Sequence, residues 1–168
     1  MGGLISEEYK ELLKVQHVIK DFGRGGIKSA PLIKDLMRQL NTKKVLDYGC
    51  GKGTLTDMLP EVQRYDPAIP QFSAPPAGAD LVVCRDVMEH VEEDMIDAVL
   101  DDIKRLARKA AWFQIVFGPS GEWLADGRNT HISVHPIDWW TEKLKQRWPV
   151  VHVTQTRPKD AQFLCKPG

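Results

Sequence analysis

Apolar residues fall at helical spacing in five stretches of this chain and in short continuous runs in six others. Over residues 6–20, Tyr9, Leu12, Leu13, Gln16 and Ile19 share one mostly apolar face, Ser6 is placed to cap, and Glu7 and Glu8 favour the positive end of the helix dipole. Ser29, with Pro31 in the first turn, opens a second predicted helix in which Leu32, Ile33, Leu36, Met37 and Leu40 keep the spacing until Asn41. A brief third helix runs from Thr54 to Pro60. A fourth, over 92–108, puts Ile96, Val99, Leu100, Ile103 and Ala107 on one face, acidic at its start and basic at its end. The fifth runs from Pro136 to about Arg147, where Trp140 and Leu144 keep the period.

The strand candidates are 43–48, 62–66, 79–84, 110–117, 150–154 and 162–165. The runs ADLVVC (79–84) and 110–117 are continuous and apolar, as expected of parallel strands covered on both faces. The last two candidates flank a turn at Pro158 and predict an antiparallel hairpin. Strands alternating with helices imply a single α/β domain with a doubly wound, mostly parallel, Rossmann-like sheet, because parallel strands need right-handed crossovers. Between 67 and 78, Pro67, Pro70, Pro75 and Pro76 leave too much proline for a regular element and too few residues for a helix plus a strand, so the sheet is shortened there. The organisation reads as an N-terminal helix over 1–27, whose Phe22-Gly23-Arg24-Gly25-Gly26 stretch offers the hinges of a lid, followed by the sheet domain over 28–168.

Composition narrows the class. The 168 residues suit one domain, and 23 basic against 23 acidic side chains give no net attraction to polyanions. This argues against nucleic acid as a partner. Cys50, Cys84 and Cys165 are odd in number and widely spaced, encoding neither a disulfide framework nor a zinc site, so no metal is expected and the chain reads as reduced and cytoplasmic. No apolar run approaches a membrane span and the N-terminus lacks a signal-peptide layout.

Ligands of doubly wound sheets lie beyond the C-terminal strand ends, where the first strand here runs into VLDYGCGKG, residues 45–53. Gly49, Gly51 and Gly53 permit a tight turn and close backbone approach, while Asp47 places a carboxylate at the same mouth. The dinucleotide pattern G-x-G-x-x-G fails, since the sixth position is Thr54 counted from Gly49 and Thr56 counted from Gly51. An acid ahead of the glycines suits a ligand with an ammonium better than one with a pyrophosphate.

The D-x-G-x-G-x-G pattern, with Asp66 closing the next strand and DVMEHV (86–91) following ADLVVC, resembles the class I S-adenosylmethionine-dependent methyltransferases over roughly residues 28–166. The resemblance is to compact members acting on small molecules. It implies that Gly49, Cys50 and Gly51 line the methionyl part of the cofactor, that Asp47 receives its ammonium directly or through water, and that Asp66 accepts both ribose hydroxyls. Two vicinal hydroxyls match two carboxylate oxygens, which is an independent reason for the last assignment. Pro67, Ala68 and Ile69 would flank the adenine, with Phe72 a further candidate for an apolar slot, and Arg85 and Asp86 fall where the family makes adenine-side contacts. The family usually carries a helix and a third strand in place of 67–78.

Methyl transfer from a sulfonium needs alignment, exclusion of water and, where required, removal of a proton. His131 and His90 are the candidates for that last task, His131 having the polar neighbours Asp126, Arg128, Asn129 and His135 in loop 118–136. Trp123 in the same loop lies where the family often builds its acceptor pocket, and the bland reading is that these polar groups merely order the loop. No N-P-P-Y-like or Pro-Cys motif marks a nucleic-acid base as acceptor, leaving a small molecule, nucleotide or modified sugar. S-adenosylhomocysteine would be the product, in a monomer or homodimer. The competing readings are a non-catalytic module that keeps the cofactor pocket and, disfavoured by the glycine spacing, a nicotinamide dehydrogenase.

Overall fold

The computed structural model describes residues 3–19 and 26–168, so the predicted lid stretch 22–25 lies outside the described residues. Its elements are α1 (Glu7–Ile19), α2 (Gly26–Gln39), β1 (Val45–Tyr48), α3 (Thr54–Met58), β2 (Gln63–Tyr65), β3 (Ala79–Arg85), α4 (Ile96–Leu106), β4 (Ala107–Val116), α5 (Ile137–Lys145), β5 (Val150–Arg157) and β6 (Asp160–Lys166). Six strands form one sheet in the order β2-β1-β3-β4-β6-β5. β1 to β4 are parallel neighbours, and β6 pairs antiparallel with both β4 and β5, as the hairpin reading expected.

Alternation along the strands distributes the core over two faces. Val45, Leu81, Val83, Ala110 and Trp112 point to one side and pack with Ala30, Ile33, Leu36 and Met37 of α2 and Leu55 near the start of α3. Leu46, Val82, Cys84, Ala111, Phe113 and Ile115 point to the other, against the Ile96, Val99, Leu100 and Ile103 stripe of α4 and against Trp140, Leu144 and Trp148. Trp140 and Trp148 are essentially buried. At about 25 cal/mol per Å² and roughly 200 Å² per indole, each contributes on the order of 5 kcal/mol of transfer free energy before entropy is counted.

Two helix starts differ from the sequence reading. α2 begins at Gly26, not Ser29, because the Gly26 N–H donates to Thr54 Oγ1 at 3.1 Å and the glycine sits against α3, where an added Cβ would stand 2.2 Å from the Leu55 nitrogen. Ser29 is therefore not the cap: its hydroxyl donates back to the Gly26 carbonyl at 3.0 Å, and Pro31 lies inside the helix. α4 begins at Ile96, after a 3-10 turn over Glu93–Met95. The α2 end at Asn41 has a clear cause: Asn41 is left-handed, φ 46°, and the Thr42 N–H returns to the Met37 carbonyl at 2.9 Å. The Ser6 cap forms as expected, its hydroxyl accepting the Tyr9 N–H at 3.2 Å.

Between β2 and β3 the described chain has one regular turn, the 3-10 segment Pro70–Phe72, and no strand, which is the predicted shortening. Cys50, Cys84 and Cys165 are free and buried. Among the described residues no helix is long and apolar enough to cross a membrane.

The glycine loop after β1 is held by sterics. Gly49 has φ 75°, and a Cβ there would meet Val87 Cγ2 at 2.4 Å. Gly49→Ala is expected to cost about 2 kcal/mol, from the left-handed backbone plus displacement of Val87, and to lower the Tm by roughly 4–8 °C. Thermal denaturation checks this; a Tm within a degree of the parent would contradict it.

Candidate cofactor and acceptor site

The chain reverses direction across the sheet between β1 and β3, and the loops after β1, β2 and β3 meet at that point. Together with one face of α1 they enclose a cavity of about 290 Å³, whose walls include Asp47, Asp66, Arg85, Asp86 and His90 and, from α1, Tyr9, Leu13 and His17. This volume is close to the lower bound of small-ligand pockets, roughly 300 Å³.

The turn over Gly49 to Gly53 is built to bring backbone to this cavity. Gly49, Gly51 and Gly53 all have positive φ. The N–H groups of Gly49 and Cys50 both donate to the Tyr65 carbonyl, at 2.8 and 3.0 Å, which pins the loop to the end of β2. Asp66 is buried and ties two loops together, accepting the Gly51 N–H on Oδ2 and the Ala68 N–H on Oδ1, each at 3.0 Å. A carboxylate oxygen accepts about two hydrogen bonds, so each keeps capacity for a ligand hydroxyl.

Asp47 is buried beside Asp66, and its pKa is raised to about 7, chiefly by burial and then by the Asp66 charge, with Arg85 opposing. Among the described residues its carboxylate has no hydrogen-bond partner. Two clustered carboxylates in one partly open crevice, one of them without a hydrogen bond among the described residues, favour a ligand that carries a cation at one end and hydroxyls further along.

Beyond β3 the backbone turns sharply. Asp86 has φ 52°, donates its N–H to the Gln114 carbonyl at 2.9 Å, and sets Oδ2 3.4 Å from Arg85 Nη2. Its Oδ1 is buried without a partner. The following 3-10 turn, Met88–His90, drives Glu89 fully inside and swings His90 to the cavity wall. Burial pushes the Glu89 carboxyl well above its usual range; Oε1 accepts the Val116 N–H at 3.3 Å, and Oε2 has no partner. His90 donates Nδ1–H to the Thr130 carbonyl at 2.7 Å, and His131 donates Nδ1–H to the Gly118 carbonyl at 2.6 Å. The two rings meet edge to face with centroids 4.8 Å apart. Burial, then His131, lowers the His90 pKa to about 4.

The fold therefore brings nine of the eleven sequence-proposed cofactor residues to one crevice, and joins His90 to His131 across forty residues of chain. His90 lines the cavity; His131 stands against His90 and does not. Ile69 and Phe72, proposed for an apolar adenine slot, do not line it either: Phe72 lies under the Arg64 guanidinium, 4.5 Å from its ring centroid. Trp123 is 62% exposed, so it closes no pocket. Much of the polar set in loop 118–136 orders that loop, with Asn129 Oδ1 accepting the N–H groups of Ser120 and His131 at 3.0 Å and Asp126 paired with Arg128.

Sequence reasoning gave the N-terminal segment as a lid but named none of the α1 residues that line the cavity, Tyr9, Leu13 and His17, and it passed over Glu89. Helix α1 is fastened across the mouth by Ser6, whose N–H and hydroxyl donate to Glu92 at 2.8 and 2.6 Å, and by Gln16 donating to Glu122 at 2.7 Å. No periodicity separates a stripe that packs on protein from one that covers a cavity. The one signal for Glu89 is an acid between Met88 and His90 in a motif otherwise assigned to the cofactor.

The family described as Methyltransferase domain matches residues 27–147 of this sequence. The chain belongs to that family. No curated protein sequence matches it. Among solved structures the methyltransferase is similar to 1,6-didemethyltoxoflavin-N1-methyltransferase of Burkholderia thailandensis, with bound 1,6-didemethyltoxoflavin and S-adenosylhomocysteine. That similarity has TM-score 0.67 and 18% identity, covering 99% of this chain and 92% of that one. Magnesium protoporphyrin IX methyltransferase of Synechocystis PCC 6803 with bound S-adenosylhomocysteine gives TM-score 0.59 and 14% identity over 84% and 83% of the two chains. The complex of DhpI with S-adenosylhomocysteine gives 0.62 and 16% over 97% and 98%. The methyltransferase shares their α/β fold, and it is a class I S-adenosylmethionine-dependent enzyme. Its site fits that cofactor: among the described residues Asp47 makes no hydrogen bond where the ammonium is expected, and Gly49 and Gly51 bring bare backbone to the cavity.

Proposed function

We propose that this enzyme methylates a small molecule, a nucleotide or a modified sugar, and that Asp47, Asp66 and the Gly49 to Gly51 backbone hold the cofactor as the motif implies. The observation that carries the reading is the pairing of Asp47 and Asp66 across one cavity, the first unbonded, the second with both oxygens fixed in direction by backbone donors. S-adenosylmethionine supplies a methyl group on a sulfonium. Asp66 orients the ribose end and Asp47 the ammonium end, while Pro67 and Ala68 line the same cavity for the adenine. Arg85 and Asp86 close the side toward β4. The helix α1 wall, with Tyr9, Leu13 and the Ser6 latch on Glu92, excludes water.

The acceptor enters on the side of His90. There the chain would hold the acceptor against the methyl group that the cofactor supplies, and the proton shed on methylation would need a group to take it. His90 and His131 are the groups for that proton, since each spends Nδ1–H on a carbonyl and so keeps Nε2 as the basic nitrogen. The balanced overall charge and the compact cavity support a small acceptor, and the proposal is completed by a cytoplasmic setting and a monomeric or homodimeric state.

Calorimetry with S-adenosylhomocysteine and with NAD is the first test, followed by transfer of labelled methyl to a metabolite extract. Micromolar binding of the nucleoside without NAD binding, and label in a small metabolite, are expected. Binding without any transfer would mark a regulatory module instead. With an acceptor in hand, His90→Ala and His131→Ala should each lower the single-turnover rate by about 10²–10⁴-fold if they take the proton; near-parental rates in both would remove the histidines from the chemistry.

A further inference from the structure

We propose that Glu89, His90 and His131 form a binding site for a divalent transition-metal ion of the manganese-to-zinc series, at the acceptor end of the cavity. One ligand atom from each lies within 4.8 Å of the other two, close enough for modest side-chain adjustment to bring all three onto one cation.

Three features separate this cluster from a chance meeting of polar residues. First, both imidazoles are held in one tautomer. A carbonyl oxygen can only accept, so Nδ1 of His90 on Thr130 and Nδ1 of His131 on Gly118 must each carry the hydrogen, which leaves Nε2 of both rings as the lone-pair nitrogen. Carbonyls on the far nitrogens are the usual outer partners of metal-binding histidines. Second, Glu89 is completely buried, and Oε2 has no hydrogen-bond partner while Oε1 is satisfied by the Val116 N–H. A buried acceptor without a partner is costly, and a cation removes that cost. Third, the backbone presents them together. The 3-10 turn over Met88–His90 projects Glu89 and His90 in succession, and the Ser133 N–H, donating to the Glu89 carbonyl at 3.1 Å, holds the His131 loop against that turn.

The donor set selects the metal. Two imidazole nitrogens with one carboxylate oxygen suit manganese, iron, cobalt or zinc, whereas magnesium and calcium prefer oxygen throughout. Three protein ligands leave positions open for an oxygen or nitrogen of the acceptor. Asp86, whose Oδ1 is also buried without a partner, adds negative charge beside Glu89, with Arg85 partly offsetting it.

The role assigned to this site rests on the methyltransferase function proposed above, although its existence does not. Coordination lowers the pKa of a bound acceptor hydroxyl or amine, whose proton then passes to solvent. This replaces direct proton removal by the histidines: with the cation bound, His90 and His131 act by positioning it, and their Nε2 atoms can take the acceptor's proton only in the metal-free enzyme.

The test uses the full chain, freed of metal by a chelator and desalted. Co²⁺ is titrated and followed by its visible absorption, and Mn²⁺ by the resonance signal of the free ion. One Co²⁺ per chain with a Kd of tens of micromolar or tighter is expected. Glu89→Gln and His131→Gln should each weaken it at least tenfold, while His152→Ala, on the exposed part of β5, leaves it unchanged. The near-isosteric glutamine variants are checked for folding by thermal melting, and Asn129→Ala, which loosens the loop that carries His131 without removing a ligand, should weaken Co²⁺ less than either. Absence of saturable binding below millimolar Co²⁺, or parental binding in both glutamine variants, overturns the proposal. S-adenosylhomocysteine calorimetry on the same samples keeps the two ideas apart. Nucleoside binding without metal binding sinks this site alone, and loss of both sinks the functional reading as well.

Discussion

Replacing Asp66 with alanine is expected to weaken S-adenosylhomocysteine binding by roughly 10- to 150-fold, about 1.5–3 kcal/mol, the usual worth of hydrogen bonds to a charged, shielded group. The structure adds a second route to the same loss. Both carboxylate oxygens are already used on the Gly51 and Ala68 N–H groups, so the alanine variant leaves two donors without a partner in a buried loop. Part of the lost affinity then reflects a glycine turn that no longer holds its shape. Asp66→Asn separates the two contributions. Its carbonyl oxygen can keep one of the two N–H bonds, but its amide nitrogen faces the other donor and cannot accept a ribose hydroxyl. Asparagine should therefore lie much closer to alanine than to aspartate in affinity, while unfolding closer to the parent temperature. The measurement is calorimetry paired with thermal melts on all three proteins. A folded alanine variant with parental affinity removes Asp66 from ribose recognition.

How far the sequence carried depends on what each position had to satisfy. The strands were legible because covered parallel strands leave apolar runs of few residues, and ADLVVC became β3 with one added residue, Arg85. The glycine loop was legible because three positive-φ positions within five residues admit few alternatives. The start of α2 was not. Its placement follows from contact between Gly26 and Leu55, a long-range fit that overrode the cap and proline signals at Ser29 and Pro31. Asp47, Asp66, Arg85 and Asp86 could be named because they sit at strand ends, and a doubly wound sheet sends such residues to one crevice. His17 and Tyr9 could not, since their site role depends on where α1 lies across that crevice, and an apolar stripe is silent on that point. Glu89 and His131 show the same limit from the other side. Residue types suggest chemistry, but the encounter of His90 with His131 depends on a loop folded back by Asn129, Thr130 and Ser133. The predicted absence of a metal site rested on spacing along the chain, a test blind to ligands brought together by two separate loops.

Binding of S-adenosylhomocysteine should strengthen about 25-fold between pH 5.5 and 7.5 and level off above. In the ligand-free protein Asp47 holds its proton up to about pH 7, because burial and the neighbouring Asp66 charge outweigh Arg85. An ammonium is attracted to the ionised form, so binding releases that proton, and below the pKa affinity changes about tenfold per pH unit. His17, which also faces Asp66, has its pKa lowered from the usual imidazole value, chiefly by burial, with the Asp66 charge opposing. Stability runs in the opposite direction. The folded-state pKa of Asp47 lies above its unfolded value, so the native state binds more protons than the unfolded chain from about pH 4 to 7, and stability falls as pH rises through that window, by on the order of 4 kcal/mol. Asp47→Asn removes both dependences. The ligand-free variant should melt higher than the parent at pH 8, with little difference at pH 4, and its nucleoside affinity should be weak and nearly flat with pH. Such a gain in stability with loss of binding is the signature of a charge kept buried for a ligand. Affinity that stays constant from pH 5.5 to 7.5 in the parent would mean that the ammonium lies elsewhere and that Asp47 serves the loop alone.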